Sequence, residues 1–148
     1  MQLRALVIKS VTTGSFAALA MVPFGFAFRV TGMRVGHYGP KFAELYSTNP
    51  GPALLFAQHM VLGWISAVPL VWALAGVRSY AVALLMGAAY GVAYYVVINA
   101  LALPIYFADM LPWNLGLPTV VPSLVVHAVF GLAVAYAERG GFWGRRVD

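Results

Sequence analysis

YAVALLMGAAYGVAYYVVINALAL, residues Tyr80 to Leu103, runs 24 positions without an Asp, Glu, Lys or Arg. Wound as an α-helix it is about 36 Å long, more than the roughly 30 Å of hydrocarbon in a bilayer. Three further stretches share its character: Ser10 to Phe28, Ala53 to Gly76 and Thr119 to Ala137. None carries a charge. Hydrocarbon offers the backbone no hydrogen bonds, so each run must satisfy its own as a helix. The period-two alternation of barrel strands is absent. The sequence therefore predicts an all-α, up-down bundle of four transmembrane helices, filling residues 1–148 as a single domain.

Composition says the same. Hydrophobic residues make up 62% and charged residues 9% of the 148, and mean hydropathy is +0.85. A soluble domain carries about 25% charged residues. Nine basic and four acidic side chains cannot clothe this chain in water, so lipid must cover it. The net charge of +5 comes from basic residues that flank the apolar runs, where they read as topology signals and contacts to anionic headgroups, not as a nucleic-acid surface. With no cysteine, disulfides, thiolate metal sites and cysteine nucleophiles are excluded.

Arg4 and Lys9 precede the first span as in a signal peptide, but the exit Phe26-Ala27-Phe28-Arg29 has no A-x-A cleavage pattern, so the span reads as an uncleaved anchor. Arg4, Lys9, Arg78, Arg139, Arg145 and Arg146 fall on one side, and Arg29, Arg34 and Lys41 on the other. The excess places both termini in the cytoplasm and the two long loops outside. Val77 to Ser79 is then a tight inner turn. In the first outer loop, Pro40 is placed to start a short surface helix over Lys41 to Tyr46. In the second, Tyr106, Phe107 and Trp113 suit the interfacial belt. Gly87 and Gly91, extended back to Ala83, and Gly14 with Ala18 form small-xxx-small faces for helix packing. Pro69 should kink the second span.

Polar groups in hydrocarbon turn inward or find partners. The candidates are His59, Asn99 and His127. His59 lies about 9 Å and His127 about 12 Å along their helices from the outer ends. Asn99 is four residues from its own outer exit, so all three share one level in the outer half. Both histidines open the same pattern, His59-x-Val61-x-Gly63 and His127-x-Val129-x-Gly131. Each glycine lies on its histidine's face and makes room for a planar ring or another helix. In a square bundle the second and fourth helices are diagonal, about 14 Å apart. A haem b could bridge such a gap between two axial histidines, with Arg29, Arg34 and Lys41 near its propionates. The same three residues also fit a hydrogen-bonded structural layer, with Ser66 and Ser123 on the histidine faces, or handling of a proton or metal ion. His37, Glu44 and Asp109 read as surface groups. No H-E-x-x-H, G-x-S-x-G or phosphate loop occurs, and the acidic residues lie outside the spans, so no catalytic residue is assigned.

From Leu54 onward, about two thirds of its length, the chain resembles an uncharacterised bacterial inner-membrane family that includes YagU. The resemblance rests on His59, on Leu85-Met86-Gly87-Ala88, on Asn99 five residues before Pro104, on Leu111-Pro112-Trp113, and on Ser123 to His127. It implies a small multi-span inner-membrane protein, linked to acid tolerance and without an established activity. The expectation is thus a protein of the bacterial inner membrane whose outer-leaflet site at His59, Asn99 and His127 binds a ligand, haem or metal, or a partner subunit or second copy. The alternatives are a proton, ion or small-solute transporter acting as an oligomer, and a small membrane enzyme working on lipid or quinone.

Overall fold

The computed structural model describes residues 2–141. Arg145 and Arg146, counted in the charge balance, lie outside the described residues. Five helices account for most of the chain: α1 (Leu3–Val30), α2 (Tyr38–Ala43), α3 (Pro52–Leu74), α4 (Tyr80–Tyr106) and α5 (Leu117–Tyr136). All except α2 are long and apolar enough to cross a bilayer, which makes this a small multi-pass membrane protein with an all-α, four-helix fold. The bundle has a base, where α1 begins, α3 turns into α4 and α5 finishes, and a crown, formed by the two long connections.

Local chemistry sets the helix ends. Pro52 and Pro118 stand in the first turns of α3 and α5, where a missing N–H costs nothing. The Ser79 hydroxyl accepts the Val82 N–H at 3.3 Å and caps α4. Gly116, at φ +87°, takes the left-handed turn that leads into α5. The turn from Ala75 to Ser79 matches the tight hairpin expected. α2 starts at Tyr38, so Pro40 falls within it and does not open it. α3 continues through Pro69 to Leu74.

α1, α3, α4 and α5 form a ring in chain order. α1–α3, α4–α5 and α1–α5 pack extensively, whereas α3 barely meets α4. α3 instead reaches across to α5, so the diagonal expected to stand open is closed. Where a Cβ on Gly63 would point, the Phe130 ring is 3.8 Å away. The base half is dry: Ala17, Ala67, Leu70, Val71, Leu74, Ala83, Phe130 and Val134 make one buried cluster. The outer surface is apolar too, with Ile65 62%, Trp72 68%, Leu85 71% and Ile105 70% exposed toward the bilayer.

The glycines of the two H-x-V-x-G patterns both admit a neighbouring helix. A Cβ on Gly14 would sit 2.7 Å from the Gly63 carbonyl oxygen, and one on Gly63 would sit 3.0 Å from the Ala18 Cβ. On the other side of the ring, a Cβ on Gly87, Gly91 or Gly131 would strike the backbone of the facing helix, Gly91 meeting His127 itself. Both small-xxx-small faces therefore lie against a His-x-x-x-Gly face in antiparallel register.

Ion pairs close the two ends. At the base, Lys9 Nζ meets Glu138 Oε2 at 2.7 Å, and the Arg139 guanidinium donates to the Leu74 carbonyl. Glu138 corrects the expectation that acidic residues lie outside the helical spans: α5 runs on as a π-turn, Ala137–Gly141, and buries this carboxylate to 8% exposure. At the crown, Lys41 Nζ holds both Asp109 oxygens at 2.6 and 2.5 Å, and His37 Nε2 lies 3.4 Å from Oδ2. The Arg34 N–H donates to the Pro118 carbonyl at 3.1 Å, and Tyr38 stacks on Phe107. Asp109 and His37, read as surface groups, thus clip one crown connection to the other. The Lys41 hydrogen bond holds the Asp109 carboxyl below its ordinary range.

Candidate functional site

Halfway along, α4 changes pitch. Tyr95–Ala102 is a π-helical segment, and Pro104 follows it. A proline lacks the N–H that would pair with the carbonyl of residue 100, and its ring presses on that carbonyl. A wider turn just before it relieves the conflict. Such segments cost backbone geometry and concentrate at functional sites. This one carries Tyr95 and Asn99 and turns both toward His127.

Asn99 and His127 are brought together. The His127 Nδ1–H donates to the Ser123 carbonyl at 2.6 Å. That contact fixes the tautomer, because a carbonyl can only accept. Nε2 then carries the lone pair and accepts from Asn99 Nδ2 at 3.0 Å. Two tyrosine rings enclose the imidazole: Tyr94 stacks at 5.7 Å between centroids, and Tyr95 lies tilted at 6.0 Å. The Tyr94 hydroxyl accepts from Ser66 Oγ at 2.9 Å, and the Tyr90 hydroxyl donates to the Ser66 carbonyl at 2.5 Å. These side-chain bonds tie α4 to α3 where the backbones stand apart. The Tyr95 hydroxyl, on a residue only 4% exposed, has no hydrogen-bond partner among the described residues.

His59 stands at the same level but is bonded elsewhere. Its Nε2–H donates to the Ala18 carbonyl of α1 at 3.0 Å. It lies within electrostatic range of His127. The Nε2 atoms of both histidines are thus held by protein partners, and neither is free to meet an iron in this arrangement. The closed α3–α5 diagonal also removes the gap that a porphyrin was expected to bridge. Among the described residues, no three His, Asp or Glu gather as a metal-binding set. The Ser66 hydroxyl bonds Tyr94, not a histidine, so it has no base beside it. Ser123 contributes its carbonyl and not its hydroxyl.

Several of these residues escaped sequence reasoning. Tyr90, Tyr94 and Tyr95 were not among the polar candidates. Their position was the missed signal, since interfacial tyrosines belong at span ends and these three lie mid-span. Gln58 was passed over beside His59. It is 9% exposed, accepts from the Tyr46 hydroxyl and donates to the Gly39 carbonyl at 2.9 Å, pinning α2 to α3.

The lone pair of His127 Nε2 is taken by Asn99, so what the layer can offer a ligand is the Asn99 amide oxygen and second N–H and the Tyr95 hydroxyl. No family model, curated protein or solved structure matches the chain.

Proposed function

We propose that this is a non-enzymatic protein of the bacterial inner membrane, both termini cytoplasmic, that binds a small ligand at the crown-side layer formed by His127, Asn99 and Tyr95, with His59 at its edge. The observation that carries this reading is the Tyr95 hydroxyl: a buried donor left without a partner, beside a His–Asn pair, on a π-widened helix. An unpaired hydroxyl in hydrocarbon is costly, and a ligand that accepts from it removes the cost. The orientation rests on the flanking basic residues, and the membrane on the resemblance to the family that includes YagU.

Binding is favoured over conduction. A proton or ion leaving the layer toward the base meets Phe130, Val134, Leu70 and Leu74, all buried and apolar. Those residues form a floor under the layer, so its traffic is with the crown side.

Native mass spectrometry of the protein purified in mild detergent tests the reading. The wild type should retain a small molecule that Asn99→Leu and His127→Leu release, with helicity by circular dichroism unchanged. The same retained masses in wild type and both variants would overturn it. A Soret band in the wild-type spectrum would identify the ligand as haem and overturn the reading that both Nε2 atoms are held by the protein.

A further inference from the structure

The base half of the bundle carries an apolar groove of about 320 Å³. Its floor is α5, through Val129, Leu132, Ala133 and Tyr136, and its walls are Phe16 of α1 and Leu84 of α4. The ring order makes this possible, because α5 packs on both α1 and α4. Tyr136 stacks on Phe16 at 6.1 Å between ring centroids and so ties floor to wall. From Val129 to Tyr136 the floor runs about 10 Å along the helix, a large part of the roughly 15 Å of hydrocarbon in one leaflet.

Toward the base the same three helices give the groove a polar end. Lys9 stands seven residues before Phe16 on one face of α1, and Tyr80 four before Leu84 on one face of α4. Contacts with the end of α5 place both beside the floor. Lys9 Nζ meets Glu138 Oε2, two residues past Tyr136, at 2.7 Å, and a Cβ on Gly140 would sit 3.0 Å from the Tyr80 ring. The Lys9 side chain is still 30% exposed and Tyr80 is 45% exposed. Exposed Arg78 precedes Tyr80 by two residues, and exposed Arg4 precedes Lys9 by five. Among the described residues, the base sets Arg4, Lys9, Arg78 and Arg139 against one carboxylate, Glu138.

An apolar channel that ends in excess positive charge at the interface has the polarity of an anionic phospholipid in the same leaflet. A zwitterionic headgroup would leave the excess charge uncompensated. A second copy laid here in the same orientation would bring its own basic end against this one. We propose that the groove over α5 binds an anionic phospholipid of the base-side leaflet, one acyl chain lying between Phe16 and Leu84 and the phosphate meeting Lys9 and the Tyr80 hydroxyl, with Arg4 and Arg78 adding to the attraction. The site shares no residue with the crown-side layer, so the two readings stand or fall independently.

The test uses the full chain in phosphatidylcholine vesicles that carry a trace of one of two probes with a diazirine in the tail, a phosphatidylglycerol or a phosphatidylcholine. Adducts are mapped by mass spectrometry after irradiation, and circular dichroism checks that each variant keeps its helicity. The anionic probe should label Phe16, Val129 and Tyr136 about fivefold more than the zwitterionic one. Arg4→Gln combined with Arg78→Gln should cut that labelling about fivefold or more, the effect of cations removed from the membrane surface. Tyr80→Phe, which keeps the ring on Gly140 and drops the hydroxyl, should cut it about fivefold as well. Leu132→Trp fills the groove from an exposed position and should suppress labelling by both probes. Equal labelling by the two probes identifies ordinary boundary lipid and overturns the proposal. A preference for the anionic probe that falls with the arginines but survives both Tyr80→Phe and Leu132→Trp identifies diffuse attraction to a basic surface and also overturns it. A groove that neither probe labels, in a chain that crosslinks to itself through these positions, is covered by a second copy, and the lipid site is then refuted.

Discussion

Replacing Gly14 with alanine tests the packing on which the fold depends. The new Cβ would stand 2.7 Å from the Gly63 oxygen and 3.0 Å from the Gly63 carbon and the Trp64 Cα. All three are backbone atoms, so no side chain can swing away. Ordinary contact begins near 3.4 Å, which requires α1 and α3 to separate by about 0.7 Å. The same shift stretches the His59–Ala18 bond from 3.0 Å to about 3.7 Å, beyond useful range. Overpacking costs about 1–3 kcal/mol, the lost intramembrane hydrogen bond about 0.6–1.7, and the better helix propensity of alanine returns about 1. The net expectation is a loss of about 1–3.5 kcal/mol, read from reversible unfolding of purified protein in mixed micelles. Gly76→Ala is the control, because its Cβ would meet nothing within 4 Å. It should change stability by less than about 0.5 kcal/mol. If Gly14→Ala proves as stable as wild type while Gly76→Ala does not, the glycine seam is not what holds α1 to α3.

Three further outcomes are expected. Lys9→Met should destabilise by about 1–3 kcal/mol, since it strips Glu138 of its cation, and Lys9→Met combined with Glu138→Met should recover most of that in the same unfolding assay; a double variant as unstable as the single one would refute the pairing argument. The Asp109 value is depressed in the folded state, so its contribution to the crown clip is complete above the ordinary value of 3.8 and is lost as pH falls through the lower folded value. Spin labels at Glu44→Cys and Met110→Cys should accordingly give a narrow distance distribution at neutral pH that broadens below pH 3.8, and Asp109→Asn should broaden it at both. The chain has no native cysteine, so Thr48→Cys should react with an impermeant maleimide on intact cells and Arg78→Cys should not; the opposite pattern means the bundle is inserted the other way up.

The spans were readable because the absence of charge over helix-length stretches leaves a chain no other folded option in lipid. Their lengths were less so. α1 begins at Leu3, seven residues before the apolar run, and takes Arg4 and Lys9 with it, because a helix continues into the interface wherever charged heads can reach water. The small-xxx-small faces were legible as packing surfaces, and the structure supplies their partners. Asn99 and His127 were placed at one depth by counting, and they do bond. His59 shares the depth but bonds α1, because rise along an axis says nothing of rotation about it. The π-segment was invisible to any count at 3.6 residues per turn, and it is what brings Tyr95 and Asn99 to the histidine. The closed diagonal was missed because the expected square assumed four equal edges. With glycine at two of them and tyrosine at a third, the ring collapses toward the smaller side chains.

The matched registers of the α1–α3 and α4–α5 pairs have a consequence for how the protein is made. The chain leaves the ribosome as one helical hairpin and then another. In the first, His59 bonds Ala18 and Trp64 Nε1 donates to Ser15 Oγ at 2.8 Å. In the second, Asn99 meets His127. Each hairpin can therefore enter lipid with its mid-span histidine already bonded and its glycines already covered, while Lys9 at the base waits for Glu138. What remains for the meeting of the two is the α1–α5 contact, the Lys9–Glu138 and Lys41–Asp109 pairs, Arg139 on the Leu74 carbonyl, Arg34 on the Pro118 carbonyl, and a pair of tyrosine hydroxyls on Ser66. The last bonds to form during biogenesis are then chiefly side-chain bonds, at the two ends of the bundle and at the α3–α4 edge where the backbones stand apart.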